Sequence, residues 1–121
     1  MKRVLKWAGV LAALQLSACT YDVVEVNPCD NLPVNRAISY ETDIAPIATT
    51  TCALPSCHVT GFSRGDFTSY ADLKKKADSG ILAHKVTSGE MPPPYTKGPK
   101  SLTACQIETI AKWISQGAPN N

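Results

Sequence analysis

The chain has 121 residues, of which 44% are hydrophobic and 18% charged, so it is long enough for one globular domain and too short for two. Its formal net charge is +2, but three of its twelve basic residues (Lys2, Arg3 and Lys6) lie at the extreme N-terminus, and the rest of the chain carries nine basic and ten acidic residues. This near-neutral balance excludes the basic surface that a nucleic-acid-binding domain needs.

Residues 1–18 have the pattern of an export signal. The basic residues precede a mostly apolar stretch, 10–16, which is too short to span a bilayer comfortably. The stretch ends in Leu16-Ser17-Ala18-Cys19, which resembles the lipobox of bacterial lipoproteins. This resemblance implies cleavage before Cys19, a lipid on its thiol, and a mature protein anchored to a membrane outside the cytoplasm, on the periplasmic side or at the outer membrane. An uncleaved signal anchor and an ordinary secreted protein are the alternatives.

The first helix is predicted over about 43–51. Thr42 is a suitable N-cap, and Pro46 would lie in the first turn, where amide donors lack partners anyway. Such a helix presents Cys52 at its C-terminal end. The apolar residues on one face of this helix, at the spacing i, i+3, i+4, are Ile44, Ile47 and Ala48.

Cys52, Cys57 and His58 follow in the order that covalent haem attachment requires. Two thiols can add to the two vinyl groups of a haem, and the adjacent imidazole can then bind the iron. The usual spacing is C-x-x-C-H, whereas this chain has C-x-x-x-x-C-H. The two extra residues require the backbone to bulge at 54–56, and they leave open whether both thioether bonds form.

The middle of the chain is predicted to be a loop followed by two short helices. Gly61 and Gly65 indicate a loop over 59–67, in which Phe62 and Phe67 either shield a haem face or anchor the core. Ser69 and Asp72 have the spacing of a capping motif for a helix ending near Ser79, Gly80 interrupts it, and a third helix covers 81–87. Lys74, Lys75 and Lys76 are predicted to face solvent, and the third helix is expected to contribute Ile81, Leu82 and Val86 to the core.

Met91 is the leading candidate for a second iron ligand. It is followed by Pro92, Pro93 and Pro94, which stiffen the backbone and lower the entropy of directing the thioether sulfur. Thioether ligation raises the reduction potential relative to a second imidazole. His84 is the alternative ligand, and Met91 as a simple core filler is the alternative to ligation.

The last helix begins with a capping box formed by Thr103 and Gln106, with Leu102 and Ile107 as its hydrophobic staple. Gly117 ends the helix and Pro119 prevents its resumption. Trp113 is expected to flank the apolar stripe and to pack on the first helix. The residues of that stripe are Ile107, Ile110, Ala111 and Ile114.

Together these stretches resemble the single-haem, class I c-type cytochromes of bacteria, in particular short cytochrome-c-like lipoproteins with planctomycete-type or generic cytochrome c domains. The resemblance is carried by 40–47 leading to Cys52, by Cys57-His58, by Met91-Pro92-Pro93 and by 113–121. It implies an all-α, cytochrome c-like fold over 38–121, with N- and C-terminal helices packed around a loop-rich haem pocket and a lipidated tether over 19–37. It also implies one haem c, bound covalently by Cys52 and Cys57 and axially by His58 and Met91.

The same resemblance implies electron transfer to redox protein partners, with no enzymatic activity and no small-molecule substrate. If Cys19 carries lipid and Cys52 and Cys57 carry haem, then Cys29 and Cys105 remain to form one disulfide in an oxidising compartment. Two free or intermolecularly paired thiols are the alternative. Six lysines either form a docking rim for an acidic partner or are a solvated surface: Lys74, Lys75, Lys76, Lys85, Lys97 and Lys100.

Three other functions are compatible with parts of this pattern. The first is a haem-free exported structural or binding lipoprotein, in which Cys52 and Cys57 form a disulfide. The second is a zinc site formed by Cys52, Cys57, His58 and His84, which an oxidising compartment disfavours. The third is a haem enzyme or gas sensor with an open coordination position, although no acid–base pair accompanies Met91.

Overall fold

The computed structural model describes residues 29, 36–94 and 101–121. The predicted signal peptide, Cys19, most of the tether, Lys97 and Lys100 lie outside these residues. The described part forms four helices and no strand, which confirms the all-α class there. Helix α1 runs continuously through π-helical Tyr40–Ile44, α-helical Ala45–Ile47 and π-helical Ala48–Cys52, and it is followed by α2 (Tyr70–Asp78), α3 (Ile81–Thr87) and α4 (Ala104–Ser115).

Helix α1 begins three residues earlier than its sequence predicted, and Ser39 rather than Thr42 is the N-cap. The Ser39 hydroxyl accepts a hydrogen bond from the Thr42 amide (3.3 Å), while the Asp43 carboxylate accepts one from the Ser39 amide (2.7 Å). These two bonds satisfy backbone donors at the helix start, which is what makes Ser39 the better cap.

Pro46 therefore lies in the middle of α1 and not in its first turn, as was predicted. A proline there removes a donor and crowds the preceding turn. The helix widens around it, so that the Ala45 amide bonds to the carbonyl of Tyr40, five residues back, and the Ala53 amide bonds to that of Ala48. Three consecutive threonine hydroxyls donate to carbonyls four residues back, from Thr49 to Ala45, from Thr50 to Pro46 and from Thr51 to Ile47.

Helices α2 and α3 have the predicted bounds, separated by Gly80 in the left-handed conformation (φ 74°). Ser69 is the N-cap residue of α2, but Asp72 does not complete a capping box, because its carboxylate accepts the Asp66 amide instead (3.0 Å). On α3, Leu82 and Val86 are buried as expected. Ile81 is not in the core, since 48% of its surface is exposed.

Helix α4 has both hydrogen bonds of the predicted capping box. Its end is a Schellman motif, in which the Gly117 amide donates to Ile114 and the Ala118 amide to Trp113, both at 2.9 Å. Gly117, at φ 84°, has the left-handed backbone that this motif requires. The predicted apolar stripe is correct for Ile110, Ile107 and Ile114, but Ala111 is exposed.

Trp113 is the centre of the core and is completely buried. Its ring lies 6.0 Å from that of Tyr40 on α1 and 6.4 Å from that of Tyr70 on α2, and these two tyrosine rings meet edge to face at 4.9 Å. The indole N–H donates to the carbonyl of Pro119 (3.0 Å), and the Tyr70 hydroxyl donates to that of Ala118 (2.8 Å). As predicted, Trp113 joins the first and last helices.

A disulfide joins Cys29 to Cys105, the second residue of α4, with an S–S distance of 2.13 Å. Cys29 is buried, with a relative exposure of 4%. The two residues are 76 positions apart. In the chain-entropy model, closing a loop of that length stabilises the folded state by about 4 kcal/mol.

Asp43 provides a pH-dependent test of the helix start. Arg36 donates to both of its carboxylate oxygens (2.7 and 2.8 Å), and this bond is the main reason that the pKa of Asp43 lies below its ordinary value of 3.8. The stabilisation is therefore fully present above pH 3.8 and is lost as the pH falls through the lower folded-state pKa. We expect Asp43→Asn to reduce the free energy of unfolding by about 1 kcal/mol at pH 7.

Denaturant unfolding followed by circular dichroism, at neutral pH and below pH 3, measures this difference. Asp78→Asn is the control, because Asp78 forms only an exposed ion pair with Lys74. A loss in Asp43→Asn that is the same at both pH values would contradict the assignment.

Candidate functional site

The C-x4-C-H segment folds as a turn that brings its two ends together. The Cys57 amide donates to the carbonyl of Leu54 (2.8 Å), with Pro55 and Ser56 at the centre of the turn. Proline followed by a residue at positive φ (68° for Ser56) is typical of a type II turn. The turn lies at 54–56, where the two extra residues were expected to make the backbone bulge.

His58 is held by hydrogen bonds from both its backbone and its ring. Its amide donates to the carbonyl of Cys52 (3.2 Å), and its carbonyl accepts the Phe67 amide (2.9 Å). The ring atom Nδ1 lies 3.2 Å from the carbonyl oxygen of Gly65. Since a carbonyl can only accept, Nδ1 carries the proton and Nε2 is the unprotonated nitrogen, which is the form in which imidazole binds a metal.

Two phenylalanines fix the plane of this imidazole. The Phe67 ring is stacked on it, with a centroid distance of 4.0 Å and an interplanar angle of 6°, and the Phe62 ring meets it edge-on at 5.1 Å. Burial lowers the pKa of His58, the bond to Gly65 opposes that shift, and the charges of Lys76 and Arg64 lower the pKa further. The ring is therefore kept neutral at physiological pH.

Cys52 and Cys57 are free thiols in the structure, so the alternative disulfide between them is not formed. Burial raises the pKa of the Cys52 thiol, the Thr51 hydroxyl at 3.6 Å from its sulfur lowers it, and the nearby Cys57 raises it. Cys52 is at the C-terminal end of α1, as predicted.

A cavity of about 630 Å³ lies against these residues. Its volume is within the range of about 300–1,000 Å³ that small-molecule and cofactor sites occupy. Most of its wall is apolar, from residues such as Leu54, Leu82 and Val86. The four residues predicted to bind haem all line it: Cys52, Cys57, His58 and Met91.

Met91 reaches the cavity from the segment after α3. Its amide donates to the carbonyl of Lys85 (3.1 Å), and the following Pro92 is buried while Pro93 also lines the cavity. His84, the alternative ligand, is exposed and does not line it; its Nδ1 lies 3.7 Å from the Glu90 carboxylate. The geometry therefore favours Met91 over His84.

A zinc site is not assembled in the part of the chain that the structure describes. No group of three or more His, Cys, Asp or Glu side chains there is arranged to hold a metal ion. Of the four residues predicted to bind zinc, His84 is the one that is exposed and does not line the cavity that the other three share.

Several residues of the cavity wall were not predicted from the sequence, among them Arg64, Lys76 and Ile81. Arg64 had no assigned role, Lys76 was expected to face solvent, and Ile81 was expected in the core, yet all three line the cavity. Lys76 could have been found from its position three residues after Leu73 and one before Ala77, both buried, since it borders the apolar face of α2. Arg64 lies in a loop, where no periodicity indicates orientation.

None of the helices in the described ranges is sufficiently long and hydrophobic to span a bilayer. Compared with protein-family models, with curated proteins and with solved structures, the chain has no significant match. The residues themselves are therefore the basis for assigning a function.

The left-handed backbone of Ser56 gives a test of the turn. The left-handed conformation destabilises a folded chain by roughly 1–2 kcal/mol when the residue has a Cβ, and glycine avoids this cost. Glycine is more flexible in the unfolded chain, however, which offsets about 0.5–1 kcal/mol of that gain in stability. We expect Ser56→Gly to raise the free energy of unfolding by roughly 0.5–1 kcal/mol, measured by denaturant titration.

Ser63→Gly is the matched control, because Ser63 also borders the cavity but its φ is not positive. It should be neutral or destabilising. An equal loss of stability in both variants would show that Ser56 does not adopt the left-handed conformation.

Proposed function

We propose that this chain is an electron-transfer protein with a cytochrome c-like fold and one covalently attached haem c. Cys52 and Cys57 form the thioethers, His58 is the proximal ligand and Met91 the distal ligand. The protein is a lipoprotein anchored outside the cytoplasm through Cys19, and it exchanges electrons with redox protein partners without acting as an enzyme.

The observation that carries this proposal is the hydrogen bond from His58 Nδ1 to the Gly65 carbonyl, in a ring that borders the cavity. Metal-binding histidines typically donate their second ring nitrogen to a carbonyl in this way, which fixes the ring and leaves the other nitrogen available. If His58 only packed in the core, there would be no reason for two thiols and a thioether to line the same cavity.

The two thiols, the imidazole and the thioether that line the cavity are the groups that a covalently bound haem requires. Each thiol S–H can add across one vinyl C=C bond, with the sulfur bonding to one carbon and the hydrogen to the other, so no oxidant or reductant is consumed. Cys52 and Cys57 are both present as thiols, as this addition requires. When bound, the haem iron supplies one-electron chemistry, alternating between its ferric and ferrous states.

The chain's own residues set the conditions for that chemistry. Phe67 and Phe62 hold the His58 ring in a fixed plane, and a neutral imidazole paired with a thioether favours a higher potential than two imidazoles do. The apolar wall excludes water, which favours the state of lower charge. Ile81, exposed on α3, marks where the cavity meets the surface and hence where a partner would approach.

Three of the lysines that were predicted as a docking rim or a solvated surface form ion pairs in the structure. Lys74, Lys75 and Lys85 are each paired with a carboxylate, namely Asp78, Asp72 and Glu90. Such local pairing reduces the net positive field that would attract an acidic partner.

Mass spectrometry of the mature protein, produced together with a haem-attachment system, tests covalent attachment. We expect the wild type to carry one haem, linked to a peptide through both Cys52 and Cys57. Cys52→Ala and Cys57→Ala should each retain at most one thioether, and the double variant should lose the covalent haem. The control is the paired change Cys29→Ser and Cys105→Ser, which removes the same number of cysteines, here the disulfide-bonded pair, and should keep the covalent haem. A wild-type protein without added haem mass would refute the proposal.

Met91→Ala tests the distal ligand. Loss of the thioether should lower the midpoint potential and abolish the sulfur-to-iron charge-transfer absorption of the oxidised protein, since no sulfur then binds the iron. His84→Ala is the control and should change neither, because His84 does not border the cavity. Unchanged spectra and potential in Met91→Ala, or loss of the band in His84→Ala, would assign the ligand differently.

A further inference from the structure

The wall of the cavity is mostly apolar, but it also carries several positive charges. Three basic side chains line it, Arg64, Lys76 and Lys85, and among the residues that the structure describes no acidic side chain does. Lys85 forms an ion pair with Glu90. In the described ranges, no carboxylate lies within ion-pair distance of Arg64 or Lys76. Arg64 is exposed and Lys76 is half-buried, and their two unneutralised charges give the cavity a positive potential that favours an occupant with negative charge.

These two cations come from different elements, and both line the cavity. Arg64 lies in the loop before α2, next to Gly65, whose carbonyl accepts the His58 ring proton. Lys76 lies on α2, and its Cε is 3.6 Å from the position that a Cβ would occupy on Gly65. The lysine stem therefore runs along the same short backbone segment that carries Arg64.

Gly65 makes this approach possible. Its φ is 116°, a conformation that residues with a side chain rarely adopt, and an added Cβ would lie 3.0 Å from the Phe67 ring. A glycine here lets the loop pass close to both the stacked ring and the lysine stem. The position of the two charges is thus part of the same local structure that orients His58.

We propose that Arg64 and Lys76 bind the two propionate carboxylates of the haem and so determine which edge of the macrocycle lies at this side of the cavity. The inference rests on the proposed function. A guanidinium can bind a carboxylate through two parallel hydrogen bonds, and an ammonium acts as a compact charge. The haem has an apolar macrocycle with two carboxylates, and the cavity has an apolar wall with two unneutralised cations, so the two are complementary.

This arrangement has a measurable consequence for the midpoint potential. Carboxylates near the iron favour its ferric state, which carries the higher positive charge, and paired cations offset that effect. Removing a cation should therefore lower the midpoint potential. It should also raise the propionate pKa, so that the fall of the potential with increasing pH occurs over a higher pH range.

The experiment is redox titration, over a range of pH, of the haem-loaded protein and of Arg64→Gln, Lys76→Gln and the double variant. We expect a lower midpoint potential in each single variant and the largest fall in the double variant, with the pH-dependent region shifted upward. Arg64→Lys should recover most of the potential. Lys74→Gln is the matched control, since Lys74 is on the same helix, loses the same charge, but pairs with Asp78 and does not border the cavity.

The two proposals fail in distinguishable ways. Haem content is measured first by mass spectrometry, and a wild type without covalent haem overturns both. If the haem is attached but Arg64→Gln and Lys76→Gln have the same potential as Lys74→Gln, only the propionate assignment is overturned. The same conclusion follows if these variants change only the salt dependence of electron transfer to a partner, because their charges would then serve docking.

Discussion

The buried indole of Trp113 lies where the first helix, the second helix and the C-terminal segment meet, and its contacts hold all three in register. Aromatic pairs contribute about 0.5–1.5 kcal/mol beyond the burial of their surface, and here Tyr40 and Tyr70 form such pairs with the indole and with each other. The hydrogen bond to Pro119 satisfies the one polar atom of the ring. Since α1 ends at Cys52, this packing also determines where the first thiol of the site is presented.

The site itself is built mostly from loops, yet it is tightly connected. The Cys52 carbonyl, the His58 amide and carbonyl, and the Gly65 carbonyl take part in backbone or ring hydrogen bonds that close the segment on itself. The stacked Phe67 then covers one face of the imidazole. Short hydrogen-bonded turns can hold functional side chains as firmly as helices do when each polar group has a partner. We infer that the cavity owes its shape to these bonds and not to helix packing alone.

The parts of the fold that local signals specify were predictable. The capping box of Thr103, the break at Gly80 and the stop at Gly117 each depend on residues within one or two turns, and the structure has all three. The start of α1 was not predictable in the same way, because the competition between Ser39 and Thr42 is decided by the Asp43 carboxylate and by the helix widening before Pro46. Ile81 was misplaced because a seven-residue helix has too few apolar positions to define its buried face.

For the site, the sequence identified the chemical groups but not their surroundings. Cys52, Cys57, His58 and Met91 were chosen for their side-chain chemistry, and they do border one cavity. The roles of Gly65, Phe67 and Arg64 depend on how the loop folds back on His58, which neither spacing nor composition specifies. The haem remains a prediction, whereas the cavity, the contact between His58 Nδ1 and the Gly65 carbonyl, and the free thiols are features of the structure.

The pairing of Cys29 with Cys105 has a consequence for disulfide exchange with the two thiols that border the cavity. Thiol–disulfide exchange proceeds through the thiolate, so a thiol with a raised pKa reacts more slowly at a given pH. Burial gives Cys52 this property, and the Cys29 sulfur, already bonded and shielded within the fold, is a poor target for exchange. Once the chain has folded, a wrong pairing that would consume the Cys52 thiol is therefore kinetically disfavoured. The fold thus separates four chemically identical side chains into one disulfide and two thiols that border the cavity.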